Sequence, residues 1–342
     1  LSDLNVVFVR TDGIGDLVLT LPAAAALKSH LTGARLSYLV SRYAAPILEH
    51  HPDIDDVLCD PGPDRPDIRR QLFARGFDAV VFFKPYLNWF WAAYRAGIRR
   101  RIGTGYRWYS LLLSDRVYEH RSRFDKHESQ YNLNLLNPLG VESDNVKPPR
   151  LYLTPSEIKQ ADDLLSSLPR PRVIVHPGNV YARNWPTHRY IESVTALRAL
   201  GFSVILTGSK REGEVFKDTG RGTDLGSSGA LDLMGLLDLR QLTAVISRCD
   251  LVISGSTGPM HVAAALEVAT LSLFDPRRAS SPVRWGPPSE RGKVLMPEVP
   301  TCEKCVYERC PYWDCMDRIP VGTVVQEARK ILSQCGAGVA KV

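Results

Sequence analysis

No apolar run in this 342-residue chain approaches the roughly 18 residues that a membrane-spanning helix needs. The longest candidates, Asn5-Val6-Val7-Phe8-Val9 and Ala79-Val80-Val81-Phe82-Phe83, are strand-sized. The first runs straight into Arg10-Thr11-Asp12-Gly13, so no secretory leader is expected here. Low-complexity tracts and short-period repeats are also missing. So is a G-x-G-x-x-G after any strand-like run, which argues against a nicotinamide or flavin oxidoreductase. Charge of one sign is only mildly in excess: 43 Lys+Arg against 37 Asp+Glu leave +6. That falls short of the dense basic stripe of a nucleic-acid binder and fits an anionic small molecule, phosphates or an acidic membrane surface. Seven cysteines in such a length are too few for a disulfide scaffold. With 44% hydrophobic and 23% charged residues, disorder and collagen-like repeats are excluded as well.

What is present is a length suited to about two domains and a regular alternation of buried-type strands with amphipathic helices. Asn5 to Val9 is followed by Thr11-Asp12-Gly13-Ile14-Gly15-Asp16, and then by apolar residues at Leu17, Leu21, Ala24, Leu27 and Leu31: strand, tight turn, one helix. Arg35–Val40, Asp56–Cys59 and Ala79–Phe83 read as further strands, and Trp89-Phe90-Trp91 as part of an aromatic-rich helix. A second series opens with the capping box Thr154-Pro155-Ser156-Glu157. Its strands are Val173–Val175, Phe202–Thr207, Leu251–Ile253 and Thr270–Phe274. Two such series predict an α/β fold of two doubly wound, Rossmann-like domains with an interdomain cleft. The expected division is residues 1–155, residues 156–320, and a final segment 321–342 whose helix is a candidate to cross back to the first domain.

In sheets of this kind ligands sit at the carboxyl ends of the strands, and every Gly-rich turn found here follows a strand. Gly13-Ile14-Gly15-Asp16 places an acid at a helix start. Asp16 is either a general base in a cleft or simply an N-cap. The stretch His176-Pro177-Gly178-Asn179 with Arg183 supplies backbone amides and a forked cation suited to a diphosphate; the plainer alternative is a surface Arg beside a packed Trp. Gly208 and Glu212, just past another strand, suit a ribose-binding acid or a first-turn acid complementing the helix dipole. Ser254-Gly255-Ser256-Thr257-Gly258-Pro259-Met260-His261 reads as an anion cradle leading into an Ala-rich helix. His261 there serves either the loop or the packing. Cys302, Cys305, Cys310 and Cys315 have knuckle-like spacing. Structural zinc, free structural thiols and disulfides are the alternatives, all of them with a fold-closing role.

Taken in order, these segments resemble glycosyltransferase family 9, the lipopolysaccharide heptosyltransferases. The carriers are Arg10–Asp16 with Leu19-Thr20-Leu21-Pro22, Phe77–Val81 leading to Arg101-Ile102-Gly103, His176-Pro177-Gly178, Trp185-Pro186, Ser256–His261, and Cys310-Pro311 with Cys315-Met316. The resemblance implies a GT-B architecture with the acceptor on the first domain and a nucleotide sugar, ADP-heptose, on the second. It implies inverting transfer that requires no cofactor. On its pattern Asp16 is the base, Arg183 with Ser256, Thr257 and Gly258 holds the diphosphate, and Glu212, Gly208 and Leu237 meet the nucleotide. Gly15, His176 and His261 belong to the donor-sugar side. Many members carry Asp where this chain has Ser256, a hydroxyl in place of a carboxylate.

An anionic glycolipid acceptor would account for Lys84, Arg95, Arg99, Arg100, Arg101 and Arg107, which otherwise read as solvated helix ends. Trp89, Phe90 and Trp91 either meet lipid or sugar or fill the core. The implied location is the cytoplasmic face of the inner membrane, peripherally bound, with no nucleic-acid partner. Two rival classes keep the fold and change the function: an epimerase or hydrolase acting on another nucleotide sugar, and a non-catalytic sugar-nucleotide-binding protein.

Overall fold

The computed structural model describes residues 4–62, 65–141, 146–178, 183–219 and 229–336. Asn179 and the last six residues of segment 321–342 lie outside them. The chain divides into two compact units, Leu1–Tyr152 and Leu153–Val342.

In the first unit, six strands form one parallel sheet: β1 (Asn5–Arg10), β2 (Arg35–Val40), β3 (Asp56–Cys59), β4 (Ala79–Phe82), β5 (Arg100–Thr104) and β6 (Asp115–Val117). Their spatial order is β3-β2-β1-β4-β5-β6. Val6, Val7 and Phe8 on the central β1 are wholly buried, as a strand covered on both faces requires. Phe8 meets Tyr38 and Phe83 edge-on at 5.4 and 5.0 Å. Each such burial is worth about 1.5–3 kcal/mol. The predicted single helix after β1 is two, Ile14–Val18 and Leu21–His30. Pro22 explains the break: it lacks an N–H and is tolerated only in a first turn, which is where it sits. Strands β5 and β6 went unread, because the basic run Arg99–Arg101 masks the edge-strand pattern. The aromatic helix Leu87–Arg95 splits its triplet: Trp89 and Phe90 are buried, whereas Trp91 is half exposed.

The second unit repeats the plan with β7 (Arg172–His176), β8 (Ser203–Leu206), β9 (Leu231–Asp232), β10 (Leu251–Gly255), β11 (Ala269–Leu273) and β12 (Gly292–Leu295). The order is β12-β11-β10-β7-β8-β9, again all parallel. The Thr154–Glu157 capping box forms as read, and Arg240 grips the same Glu157 carboxylate in a fork at 2.6 and 2.7 Å. Those hydrogen bonds hold Glu157 down to about 2. Trp185 is buried and donates its indole N–H to the Ile319 carbonyl at 3.0 Å. The closing helix Val321–Gly336 buries Val324, Ala328 and Leu332, one face at helical spacing, in this unit's own core beside Tyr190 and Val194. Among the described residues no helix is long and apolar enough to cross a membrane.

Candidate functional site

Both sheets start at a central strand, run outward, return, and run outward the other way. The resulting switch points fall between β1 and β4 and between β7 and β10, and crevices of such sheets open there at the carboxyl edge. The segments around Asp16, Lys84, His176 and Ser256–Gly258 follow those strands, whereas Gly208 and Glu212 follow β8.

At the β1/β4 edge the chain builds a charged cluster around Arg10. This side chain, 3% exposed, touches Asp12 at 2.6 Å, pairs closely with Asp16 and lies 3.7 Å from Glu128. It also donates to the Phe83 carbonyl just past β4, at 3.3 Å. Burial works against its charge, but Asp12, Asp16 and Glu128 outweigh that and keep the guanidinium protonated. Glu128 is shared with Arg121, and Asp12 with Lys84 at 3.0 Å. Asp16 stands in the first turn of Ile14–Val18, whose cap Gly13 receives no side-chain hydrogen bond; Asp16 is therefore not the N-cap. Its side chain keeps a quarter of its surface open. Burial pushes its pKa up, the Arg10 charge pulls it back, and Asp12 and Glu128 add to the rise. A partly open carboxylate with a raised pKa accepts a proton more readily than an exposed aspartate does.

The proposed acceptor cations differ among themselves. Lys84 lies over the Tyr86 ring at 5.2 Å, and Arg99 is exposed. Arg100 is spent on Asp115 at 3.0 Å and on the Pro138 carbonyl, and Arg101 on the Leu112 carbonyl at 2.7 Å and the Ile98 carbonyl.

The β7/β10 edge has the opposite character. His176, paired with Ser254 across the sheet, is buried, and its Nδ1 lies 2.9 Å from Thr207 Oγ1. Burial lowers its pKa against the pull of Glu212, so the imidazole is neutral. Gly178 adopts φ +117°, and a Cβ there would overlap Glu212 Oε1. At Gly208 an added Cβ would lie 2.7 Å from Met234 Cε and 3.3 Å from Glu212 Oε2. The bare backbone at both glycines thus lets Glu212 approach. Glu212 also accepts from the Ser209 N–H at 2.7 Å while its own N–H points to Ser209 Oγ, a capping box; the carboxylate has a helix-start role in addition to any ligand. The helix Gly258–Ala265 begins at Thr257 and carries Pro in its first turn. Its first amides lack intrahelical partners by construction, and the buried Thr257 Oγ1 finds no partner among the described residues. Ser256 is half-buried beside them and His261 is buried inside the helix. Leu237 is half-buried immediately before the Asp238 cap, while its neighbour Leu236 is 70% exposed.

Arg183 is held from another side. Its N–H donates to Asp275 at 2.9 Å, its guanidinium donates to the Trp313 carbonyl at 2.6 Å, and it lies 5.4 Å over the Tyr307 ring. Asp275, wholly buried past β11, also binds Arg277 at 2.7 Å. Sequence reasoning missed Arg10, Asp12, Glu128 and Asp275 as site-forming groups. For Arg10 the available signal was a charged residue ending an otherwise apolar buried strand, which must find a partner. Among the described residues no three Cys, His, Asp or Glu side chains are drawn together as metal ligands.

Comparison with known proteins places this geometry. The model of "Glycosyltransferase family 9 (heptosyltransferase)" matches residues 65–314. A Haemophilus influenzae protein named "Putative glycosyltransferase" is 28% identical, over 85% of this chain and 88% of its own length. Lipopolysaccharide heptosyltransferase 2 of Escherichia coli is 24% identical with the same coverage. The solved structure of E. coli ADP-heptose lps heptosyltransferase II superposes with a TM-score of 0.83 at 20% identity, covering 97% of this chain and all of that one. The fold is the two-unit GT-B class, and with the family match covering more than half of its residues, the chain belongs to glycosyltransferase family 9.

Proposed function

We propose that this glycosyltransferase is an inverting enzyme that moves a heptose from ADP-heptose to the inner core of a lipopolysaccharide, with Asp16 as general base. The observation that carries the reading is the Asp16 carboxylate: partly open, raised in pKa by burial, and aimed from the β1/β4 edge by Arg10. Asp16 removes the proton from the acceptor hydroxyl as its oxygen bonds to the anomeric carbon. The bond from that carbon to the diphosphate oxygen breaks on the opposite face, and the configuration inverts.

Negative charge grows on the leaving diphosphate. The free amides at the start of Gly258–Ala265, the Thr257 hydroxyl and Arg183 stabilise it without need of a catalytic metal. The fit of Glu212 against Gly178 and Gly208 supports a ribose site there, with Leu237 packing on the base. The donor is taken to be the one named for the solved relative, ADP-heptose.

The acceptor is anionic and membrane-borne, met by Lys84 and Arg99. Trp91, Trp108 and Leu111 are exposed by 51, 77 and 75%, and Arg95 lies 5.9 Å over the Trp91 ring. Aromatics with cations suit the headgroup level of an anionic bilayer, which supports peripheral attachment at the cytoplasmic face of the inner membrane.

A panel of ADP-, UDP- and GDP-linked sugars, each with and without heptose-deficient lipopolysaccharide, tests the proposal. The expected result is acceptor-dependent release of ADP from ADP-heptose. Turnover without acceptor, or binding with no turnover under any pairing, would overturn it in favour of an epimerase or hydrolase, or of a binding protein.

A further inference from the structure

At one side of the first sheet β5 and β6 end next to each other, and each strand end leads to a tyrosine: Tyr106 after β5, Tyr118 after β6. The two are 47 and 60% exposed, yet their rings meet edge to face at 5.3 Å. His120 lies against Tyr106 with ring centroids 5.0 Å apart, and the Tyr106 hydroxyl is 2.9 Å from His120 Nε2. All three rings lie outside the buried core of the unit. The backbone beneath them is shaped to hold them. The Gly105 N–H donates to the Val117 carbonyl at 2.9 Å, and a Cβ on Gly105 would lie 2.5 Å from Tyr118 Cε1 and Cζ. Glycine there lets the Tyr118 ring lie down on the chain. The segment between the tyrosines is tied as well: Ser110 Oγ donates to the Thr104 carbonyl at 2.6 Å, and Arg116 Nε donates to the Ser110 carbonyl at 3.0 Å. Aromatic surface fixed in advance loses little freedom when a ligand arrives. Charge around it is one-sided. Asp115 engages Arg100, Glu119 engages Lys126 and Asn134, and Asp125 engages the Tyr131 hydroxyl. Arg107, next to Tyr106 in the chain, and Arg123, just past His120, are exposed.

We propose that Tyr106, Tyr118 and His120 form a saccharide subsite on the carboxyl edge of the first sheet, which takes a sugar ring of an anionic glycan away from the reacting hydroxyl. The face of an aromatic ring is electronegative and packs against the C–H face of a pyranose. The phenol hydroxyls and the imidazole supply the few polar groups that orient a ligand on such a surface. A saccharide uses the ring faces and their polar tips together, which hydrocarbon does not. Arg107 and Arg123 suit the phosphate or carboxylate groups of an anionic glycan. The strand order β1-β4-β5-β6 puts the subsite on the same edge as Asp16, about 10–15 Å along it at the usual strand spacing. A glycan of a few residues spans that distance. Contacts so far from the reacting atoms bind and align the substrate rather than take part in bond making. The proposal deepens the functional reading, and it rests on that reading for the glycan being the acceptor.

The test uses the full chain and, as probe, heptose-deficient lipopolysaccharide stripped of its acyl chains. Binding is measured by calorimetry, and transfer by ADP release from ADP-heptose. Tyr118→Ala removes the ring, and Gly105→Ala only pushes it aside. Both should weaken saccharide binding and raise the acceptor KM by about tenfold, the scale of one lost aromatic contact. Both should leave kcat at saturating acceptor and the ADP affinity as in the wild type. Tyr118→Phe keeps the ring face and should retain most of the affinity. Melting curves confirm that each variant is folded, and Gly105→Ala, which deletes no side chain, serves if Tyr118→Ala is not. Unchanged saccharide affinity in the folded variants overturns the subsite. So does an effect confined to the acylated acceptor or to phosphatidylglycerol vesicles, which would assign the rings to a membrane surface. The two readings fail separately. Saccharide that binds, is lost on Tyr118→Ala, and never receives heptose sinks only the functional reading. Transfer with an unchanged acceptor KM in both variants sinks only the subsite, and a wild-type chain that neither binds nor glycosylates the saccharide sinks both.

Discussion

The two units share one strand order and place opposite chemistry at equivalent points of it. At the β1/β4 edge the loops carry Asp12, Asp16 and Lys84 around a buried arginine. At the β7/β10 edge they carry glycines, hydroxyls and a neutral imidazole, with one carboxylate folded back onto its own helix start. Topology explains why both edges can hold a ligand; it does not say which ligand. On the proposed reading the first edge moves a proton, its acid being desolvated and its counter-charge fixed. On the same reading the second receives negative charge, on amides and hydroxyls joined by the Arg183 cation.

Asp16→Asn breaks that contrast most sharply. The amide keeps the shape and can still meet Arg10, but it accepts no proton. Turnover should fall by about 10²–10⁴-fold, while ADP affinity, measured by calorimetry, stays as in the wild type. Retained turnover would show that the Arg10 cluster only holds the first unit together.

Next in size is Gly178→Ala, aimed at the second edge. Alanine is strained at φ +117°, and its Cβ would displace Glu212. A cost of about 1–3 kcal/mol is expected for forcing such a backbone, read as a lower melting temperature, together with weaker ADP binding and an unchanged KM for acceptor. If ADP affinity holds while the melting temperature drops, Glu212 is a cap and nothing more.

The loops behind both predictions were legible in the sequence, because their signals are local: an apolar run, then glycines, then a helix start. What surrounded them was not. Arg10 reads as an ordinary polar residue ending a strand, and its burial follows only once β1 is central and Glu128, far along the chain, has been brought beside it. Arg100 and Arg101 looked like free cations because a sequence does not reveal that carbonyls from residues 98, 112 and 138 will surround them. The apolar spacing through Leu17–Leu31 concealed a break that Pro22 could have announced. Glu212 supported two readings, and the structure shows the helix-start one: the capping box forms, with two glycines leaving its carboxylate room.

The finest probe is Lys84→Met, which alters the first edge without touching its acid. Lys84 lies against Asp12 and, from a greater remove, favours the ionised form of Asp16. The base must be deprotonated to work, so the acidic limb of kcat/KM reports the pKa of Asp16 in the free enzyme. Burial already places that limb above the range of an exposed aspartate. Removing a cation can only move it further up, so the variant should lose relative activity first on the acid side and recover as pH rises. The displacement is small, because Lys84 is 43% exposed and solvent and salt screen it. The same substitution should raise the KM for an anionic acceptor by about twofold to fivefold, the scale of a single exposed ion pair, with the ADP affinity of the second edge unmoved. A limb shifting to lower pH would mean that another group sets the profile, and Asp16 would then have to be given up as the base even if its own substitution silenced the enzyme.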